Sequence, residues 1–510
     1  MRVALTPLEY VERARRLFGD LDAVVDGERR FTYEELSARA HALGAWLRSA
    51  CSPGERVAYL CPNTVELLEA YYGVLLGGCV LVPLNIRLAA AELQEIVDDC
   101  APSVLVVHPS LSSLANGLGG PKRVDIGVSY EELLAAHAGA YVEPLSMVDD
   151  EDAVCELFYT SGTTGLAKGA MLTHRNLATH AVDSALSMGC VHRDVVLHTI
   201  PLFHVNGWGT PHWVTLLGAR HVMLPRFDAA EVLRLIEAER VTRLHLVPAM
   251  ASMLVVSPAL REHDYSSLVQ VTVGGAPPGP ELLAELESAF GCEVICGYGL
   301  TEAAPQLTKA WTKRSHDGLP LEERRRRRAA TGLPNIGVDL RILDDTDVEV
   351  PWDGTTTGEI CVRSNHVMAG YWGRLDESAE VLAGGWLRTG DVGVVDAEGY
   401  VTIVDRKKDL IISGGENISS VEVEKALCAH PAVLEAAVVG MPDERWGEVP
   451  RAFVSLRPGA SLGEGGVDEL MTWVAGRLAR FKVPRRIEVL PDLPKGGSGK
   501  VLKAELRKVP

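Results

Sequence analysis

The 510-residue sequence has no excess of positive charge, no unbroken apolar run long enough to cross a bilayer and no closely repeated cysteine pattern. Fifty Lys and Arg face 68 Asp and Glu, and the resulting net charge of -18 excludes a protein that grips nucleic acid through a basic face. The most apolar stretch, "LLEAYYGVLLGGCVLVPL", is interrupted by Glu69, a glycine pair and Pro83, so it reads as helix, turn and buried strand, with no membrane span. The N-terminus carries charges throughout and lacks the apolar centre of a signal peptide. Ten singly scattered cysteines fit reduced thiols and a cytoplasmic location. Cys292 and Cys296 lie within "CEVICG", a strand pattern that makes them core thiols in preference to metal ligands. Several catalytic signatures are also missing. There is no G-x-S-x-G elbow and no H-E-x-x-H. "GYGLTE" has Glu302 where a dinucleotide fingerprint needs its last glycine, and "GGSGKV" lacks a hydroxyl residue after Lys500.

What is present points to a large α/β body with at least one further domain, because the chain exceeds the size at which a single core stops growing. Short apolar runs ("RVAYLC", "VLVPL", "SVLVVH", "HVMLP", "RLHLVP", "LVQVTVGG", "EVICGYG") alternate with helical patterns, which predicts helix-covered parallel sheets with ligands near strand ends. From about Glu359 glycine-punctuated strands predict a small antiparallel region. After Asp405 a smaller α+β unit follows, with "VEVEKALCAHP" and "VDELMTWVAGRLARF" as helices. The run Arg324 to Arg328 reads as a solvated helix face, with an anion patch as the alternative.

Directly after the strand pattern "AVCELFY" comes "TSGTTGLAK". Glycines let backbone N–H groups turn towards an anion, Ser161, Thr163 and Thr164 add hydroxyl donors, and Lys168 adds a mobile charge, so the segment suits polyphosphate. Taken alone, it also suits a flexible turn.

"YTSGTTGLAKGAMLTH", "PLFHVNGWG", "GGAP", "GYGLTE", "GWLRTGDVG", "DRKKDLIISGGENISSVEVE" and "PKGGSGKVLK" occur in the order found in the adenylate-forming superfamily of acyl-CoA synthetases, adenylation domains and luciferases, and nearly the whole chain resembles it. The chain looks closest to fatty acyl-CoA synthetases. The resemblance implies a large N-terminal domain (1–405) for ATP and acid, a hinge at 406–408 and a mobile C-terminal domain (409–510). It implies ATP, Mg2+ and CoA as reactants and cofactor. A carboxylate would attack the α-phosphate of ATP, and a thiol would then displace AMP from the acyl-adenylate.

By this resemblance, Thr160, Ser161, Gly162, Thr163, Thr164, Gly165 and Lys168 would hold the β- and γ-phosphates, Thr301 would meet the α-phosphate, and Glu302 would help hold Mg2+. Adenine would lie between Tyr298, Gly299 and the backbone of Gly274, Gly275 and Ala276. The ribose hydroxyls would donate to Asp391, with Arg406 assisting. Lys500 would be the adenylating lysine, Lys408 the hinge, and Gly414 and Gly415 would leave room for the thiol arm or form a helix-capping turn. Trp446 is a CoA-stacking residue or a core indole. His204, Val205, Asn206, Gly207 and Trp208 would border the acid pocket, although His204 and Trp208 also suit plain core packing. The leading expectation is a medium- or long-chain fatty acid as substrate. The alternatives are an aryl, short-chain or sulfur-containing acid, a carrier-protein acceptor, and a catalytically silent nucleotide-binding regulator. Homodimerisation is suggested by analogy alone.

Overall fold

The computed structural model describes residues 3–143, 150–160, 167–276, 278–413, 416–443, 445–463, 465–496 and 501–509. Two large sheets dominate the N-terminal domain. The first has nine strands in the spatial order Leu333–Pro334, Gln306–Lys309, Glu293–Gly299, Gln270–Gly274, Arg243–Leu246, Val195–His198, Arg220–Met223, Asp22–Asp26 and Arg29–Thr32. Its central six strands are parallel and its outer pairs antiparallel. The second runs Gly370–Tyr371, Lys168–Thr173, Val154–Thr160, Val80–Pro83, Arg56–Leu60, Val104–Val107 and Lys122–Asp125. The strands expected from the apolar runs are therefore present, and the helices between them cover the sheets as parallel crossovers require.

The helix Val65–Leu76 shows why the apolar stretch is not a membrane span. Every one of its residues is buried, and Arg39 Nε lies 2.6 Å from Glu69 Oε1. Burial still pushes the Glu69 carboxyl up to about 7, against the pull of Arg39. Among the described residues no helix is long and apolar enough to cross a membrane. The preceding helix, Tyr33–Ala50, starts at a capping box in which Thr32 Oγ1 accepts from the Glu35 N–H and the Glu35 carboxylate accepts from the Thr32 N–H. The two helices meet through glycines. A Cβ on Gly73 would stand 2.5 Å from Leu43 Cδ2, and one on Gly44 would stand 2.7 Å from Leu76 Cβ.

A third, wholly antiparallel sheet orders Val338–Leu343, Gly358–Ser364, Leu387–Val395 and Val401–Arg406. It begins some twenty residues before the expected onset at Glu359, because "VDLRIL" puts Asp339 and Arg341 on its outer face and so lacks a continuous apolar signal. The fourth sheet, in the C-terminal domain, orders Glu416–Ile418, Ile411–Ser413, Gly447–Leu456 and Val433–Asp443, with Arg486–Val489 parallel to Gly447–Leu456. The helices Ser420–Cys428 and Val467–Ala475 cover it; the second stops before Gly476, short of the full expected pattern.

The arginine run is helical over Leu321–Arg328, but it is a clamp and not a solvated face. Arg325 and Arg328 each lie 2.9 Å from a Glu287 carboxylate oxygen, and Arg327 pairs with Glu398. Substituting Gly73→Val is expected to destabilise the N-terminal domain by about 1–3 kcal/mol, the usual cost of overpacking a close helix contact. A lowered thermal midpoint checks this; an unchanged one would mean that the two helices separate at no cost.

Candidate functional site

The parallel strands Gln270–Gly274 and Glu293–Gly299 end side by side, with Gly274 in register with Gly297. Their carboxyl ends open the crevice in which α/β sheets bind ligands. At one wall, Tyr298 donates its hydroxyl to Asp391 Oδ2 at 2.6 Å, and Arg406 Nε stands 3.3 Å from Asp391 Oδ1. Asp391 and Arg406 are register partners on neighbouring strands, so the antiparallel sheet itself fixes this pair. Burial, and then the Asp391 carboxylate, hold the Tyr298 phenol well above its usual range and hence protonated. Gly299 has no room for a side chain, since a Cβ would come within 2.0 Å of the Pro305 carbonyl oxygen. Gly275 takes a φ of +82° suited to glycine, and it and Ala276 are exposed at the rim.

Thr301 is buried and Glu302 half-buried in the short turn that follows. Glu302 Oε1 accepts the Tyr371 hydroxyl at 2.8 Å. Lys168 Nζ lies 5.3 Å from the centre of the same Tyr371 ring and pairs with Glu377. Thr160 is the register partner of Lys168 across the hairpin that carries "SGTTGL". Lys168 and Glu302 are thus joined through one aromatic side chain. Neither Tyr371 nor Glu377 was foreseen. They lie some two hundred residues beyond the loop and belong to no recognised motif, and only the antiparallel pairing of Gly370–Tyr371 with Lys168–Thr173 brings them in.

The segment 204–209 departs most from ordinary geometry. Val205, Asn206, Gly207, Trp208 and Gly209 all have positive φ, between 38° and 80°, at the start of the helix Val205–Leu217. For Val205 and Trp208 a left-handed conformation costs about 1–2 kcal/mol each, so something must hold it. Asn206 Oδ1 accepts the Gly209 N–H at 2.6 Å, Asn206 Nδ2 donates to Glu156 Oε2 at 3.4 Å, and Glu156 Oε1 lies 2.9 Å from His212 Nε2. All three side chains are buried. The turn delivers Trp208, 8% exposed, onto glycine backbone: a Cβ on Gly274 would stand 3.0 Å from the indole Cη2. Trp208 packs with Ile200 and Val205 against Val247 and Met250. His204 is half-buried and precedes the turn, and the Gly207 N–H donates to its carbonyl.

The structure therefore brings together Thr160, Lys168, Thr301, Glu302, Tyr298, Asp391, Arg406 and the segment 204–208 around the ends of two strands. Lys408 lies in the turn after Arg406. Trp446 is 38% exposed at the tip of the C-terminal hairpin, under the Arg445 guanidinium, so the core-indole alternative is overturned. Ser161, Gly162, Thr163, Thr164, Gly165, Gly414, Gly415 and Lys500 lie outside the described residues.

Residues 11–372 match the AMP-binding enzyme family, and residues 422–500 match the AMP-binding enzyme C-terminal domain. The chain belongs to the AMP-binding enzyme family. It is 40% identical to a feruloyl-CoA synthase of Amycolatopsis sp over 498 residues, 97% of each chain. It is 38% identical to a long-chain-fatty-acid–CoA ligase of Thermus thermophilus over 514 residues, 98% of this chain and 94% of the other. The crystal structure of the anthranilate CoA ligase AuaEII with anthranoyl-AMP superposes with a TM-score of 0.90 at 27% identity, covering 99% of this chain and 97% of that one.

Tyr371→Phe deletes only the hydroxyl that reaches Glu302. In calorimetry with divalent cation it is expected to weaken ATP binding about three- to tenfold, the net worth of one ordinary hydrogen bond at about 1 kcal/mol. Unchanged affinity would put Glu302 outside the nucleotide site.

Proposed function

We propose that this AMP-binding enzyme is an AMP-forming acid–CoA ligase whose acid is apolar, with an aromatic acid ahead of a fatty acid. The carrying observation is the junction at Gly274 and Gly275, where the nucleotide wall and the Trp208 wall share one strip of bare backbone. The indole packed against that strip, with Ile200, Val247 and Met250 around it, offers an apolar aromatic wall on which an aryl acid would stack. The 40% relative named as a feruloyl-CoA synthase and the match to an anthranilate CoA ligase support this reading. The 38% relative named for long-chain fatty acids favours the second reading.

In the first half-reaction two anions must meet, and at contact in a partly dry site their repulsion is several kcal/mol. Lys168 and, from the C-terminal domain, Lys500 supply the opposing charge; the backbone of 160–165 cradles the leaving phosphates. The acid carboxylate attacks the α-phosphorus, the bond to pyrophosphate breaks, and acyl-adenylate forms. Asp391 accepts the ribose hydroxyls when Tyr298 or Arg406 yields, and Tyr298 walls the adenine. Glu302 suits Mg2+ because its second oxygen is left by Tyr371 as a hard donor. Glu302 is the residue that would hold the ion, through the carboxylate oxygen not taken by Tyr371. Bound magnesium would offset negative charge on the polyphosphate. In the second half-reaction a thiol attacks the acyl carbonyl and AMP leaves. A pivot at Lys408 moves Lys500 aside, and Gly414 and Gly415 leave space for the thiol arm.

Mass spectrometry of products from ATP, Mg2+, CoA and a panel of acids from acetate through long-chain fatty acids to aryl acids tests this. Highest kcat/KM with an aryl acid is expected; a peak at long-chain acids would install the fatty-acid reading, and pyrophosphate release without any thioester would redirect the search to a carrier protein. Lys500→Ala is expected to abolish adenylation while sparing thioester formation from supplied acyl-adenylate. Equal loss of both steps would overturn the role given to Lys500.

A further inference from the structure

Beneath the left-handed turn lies a second buried polar chain that none of the roles above uses. His198 ends one strand and His221 sits on its parallel neighbour, with the two imidazole planes nearly parallel, 6° apart. His198 Nε2 is 2.9 Å from His221 Nδ1, His221 Nε2 is 3.1 Å from Thr215 Oγ1, and His198 Nδ1 is 3.1 Å from Thr210 Oγ1. Thr210 Oγ1 in turn lies 3.1 Å from the Gly207 carbonyl oxygen, in the middle of the turn. All four side chains are at most 2% exposed. Burial pushes both imidazoles far down, His198 to about 3, so each is neutral and carries one ring proton.

One proton per ring leaves two directions for the chain. The choice is made at Gly207. The residue four positions on, whose N–H would serve this carbonyl in a helix, is Pro211, which has no N–H. The Thr210 hydroxyl therefore donates to the Gly207 carbonyl in its place. With that proton spent, Thr210 can only accept from His198, so His198 carries its proton on Nδ1 and accepts at Nε2. By the same logic His221 donates from Nδ1 and accepts the Thr215 hydroxyl at Nε2. Reversing the chain would take the hydroxyl donor away from a buried carbonyl.

We propose that His198 and His221, through Thr210, are positioning residues for the acid substrate: their one-way hydrogen-bond chain fixes the Gly207 carbonyl, and with it the seat of Trp208 over Gly274 and Gly275. The role in positioning rests on the reading of residues 204–208 as the acid-side wall. Sequence spacing gave no sign of it, since the two histidines are over twenty residues apart and meet only through strand register.

The test compares Thr210→Val, which keeps the shape and deletes the hydroxyl, with Thr210→Ser, which restores it. Thr210→Val is expected to raise KM for the acid at least tenfold while KM for ATP changes less than twofold, and Thr210→Ser to behave as the parent. An unchanged acid KM, or equal rises for acid and ATP, would overturn the proposal. Should Thr210→Val fail to fold, nitrogen-15 NMR of the histidine-labelled parent protein at pH 7 decides on its own. Nδ1–H on both His198 and His221 is expected, and Nε2–H on either overturns the chain. A parent protein inactive on every acid would sink the function reading and the acid-positioning role together, whereas the tautomer measurement judges the chain alone.

Discussion

Much of the site hangs on the contact between one indole and a strip of glycine backbone. Trp208 approaches Gly274 so closely that a methyl group there would stand 3.0 Å from the ring, and Gly275 continues the strip in a conformation suited to glycine. To reach that place the chain adopts a left-handed turn that valine and tryptophan resist. The opposing contributions are buried and polar: Asn206 with Glu156 and His212 on one flank, Thr210 with the paired histidines on the other. The interior around the turn is consequently rich in polar groups at a depth where unpaired ones would be costly. Gly209 shows how tightly the set is fitted, for a Cβ there would come 2.4 Å from His180 Cε1, and His180 also accepts the Gln306 N–H just beyond Glu302.

The charged side of the crevice follows a different rule. Lys168 is paired with Glu377, and Asp391 with Tyr298 and Arg406, within the protein itself. A ligand at such groups would exchange partners and would not fill vacant ones. Exposed or half-exposed ion pairs contribute little, commonly below about 1 kcal/mol, so Lys168 can be drawn from Glu377 to a stronger anion at small cost. The Tyr298–Asp391 contact is more deeply buried and sets a firmer geometry.

Much of this layout was readable before any coordinates. Alternating apolar runs and helical patterns located the parallel strands, and the resemblance-bearing motifs fell at their ends because backbone and glycine conformations there are constrained locally. What escaped was fixed by distant pairing. Tyr371 and Glu377 reach Lys168 only through an edge strand of two residues, and His198 meets His221 only through register. Neither leaves a trace in local spacing. The arginine run misled for a related reason: its glutamate partners, Glu287 and Glu398, come from separate elements. The left-handed turn was hidden because Val205 and Trp208 argue against it, although Asn206, Gly207 and Gly209 permit it, and tertiary contacts override the preference of the first two.

One small cap has a mechanical meaning. The Asp405 carboxylate accepts the Ser420 N–H at 2.5 Å, and the Ser419 hydroxyl reaches the Val404 carbonyl, so the first helix of the C-terminal domain is tethered to the last strand before it. A pivot at 406–408 would leave Asp405 on one side and Ser420 on the other. Were the C-terminal domain to turn there, such a tether would act as a detent, worth on the order of 1 kcal/mol, and would make the described arrangement a preferred resting stop.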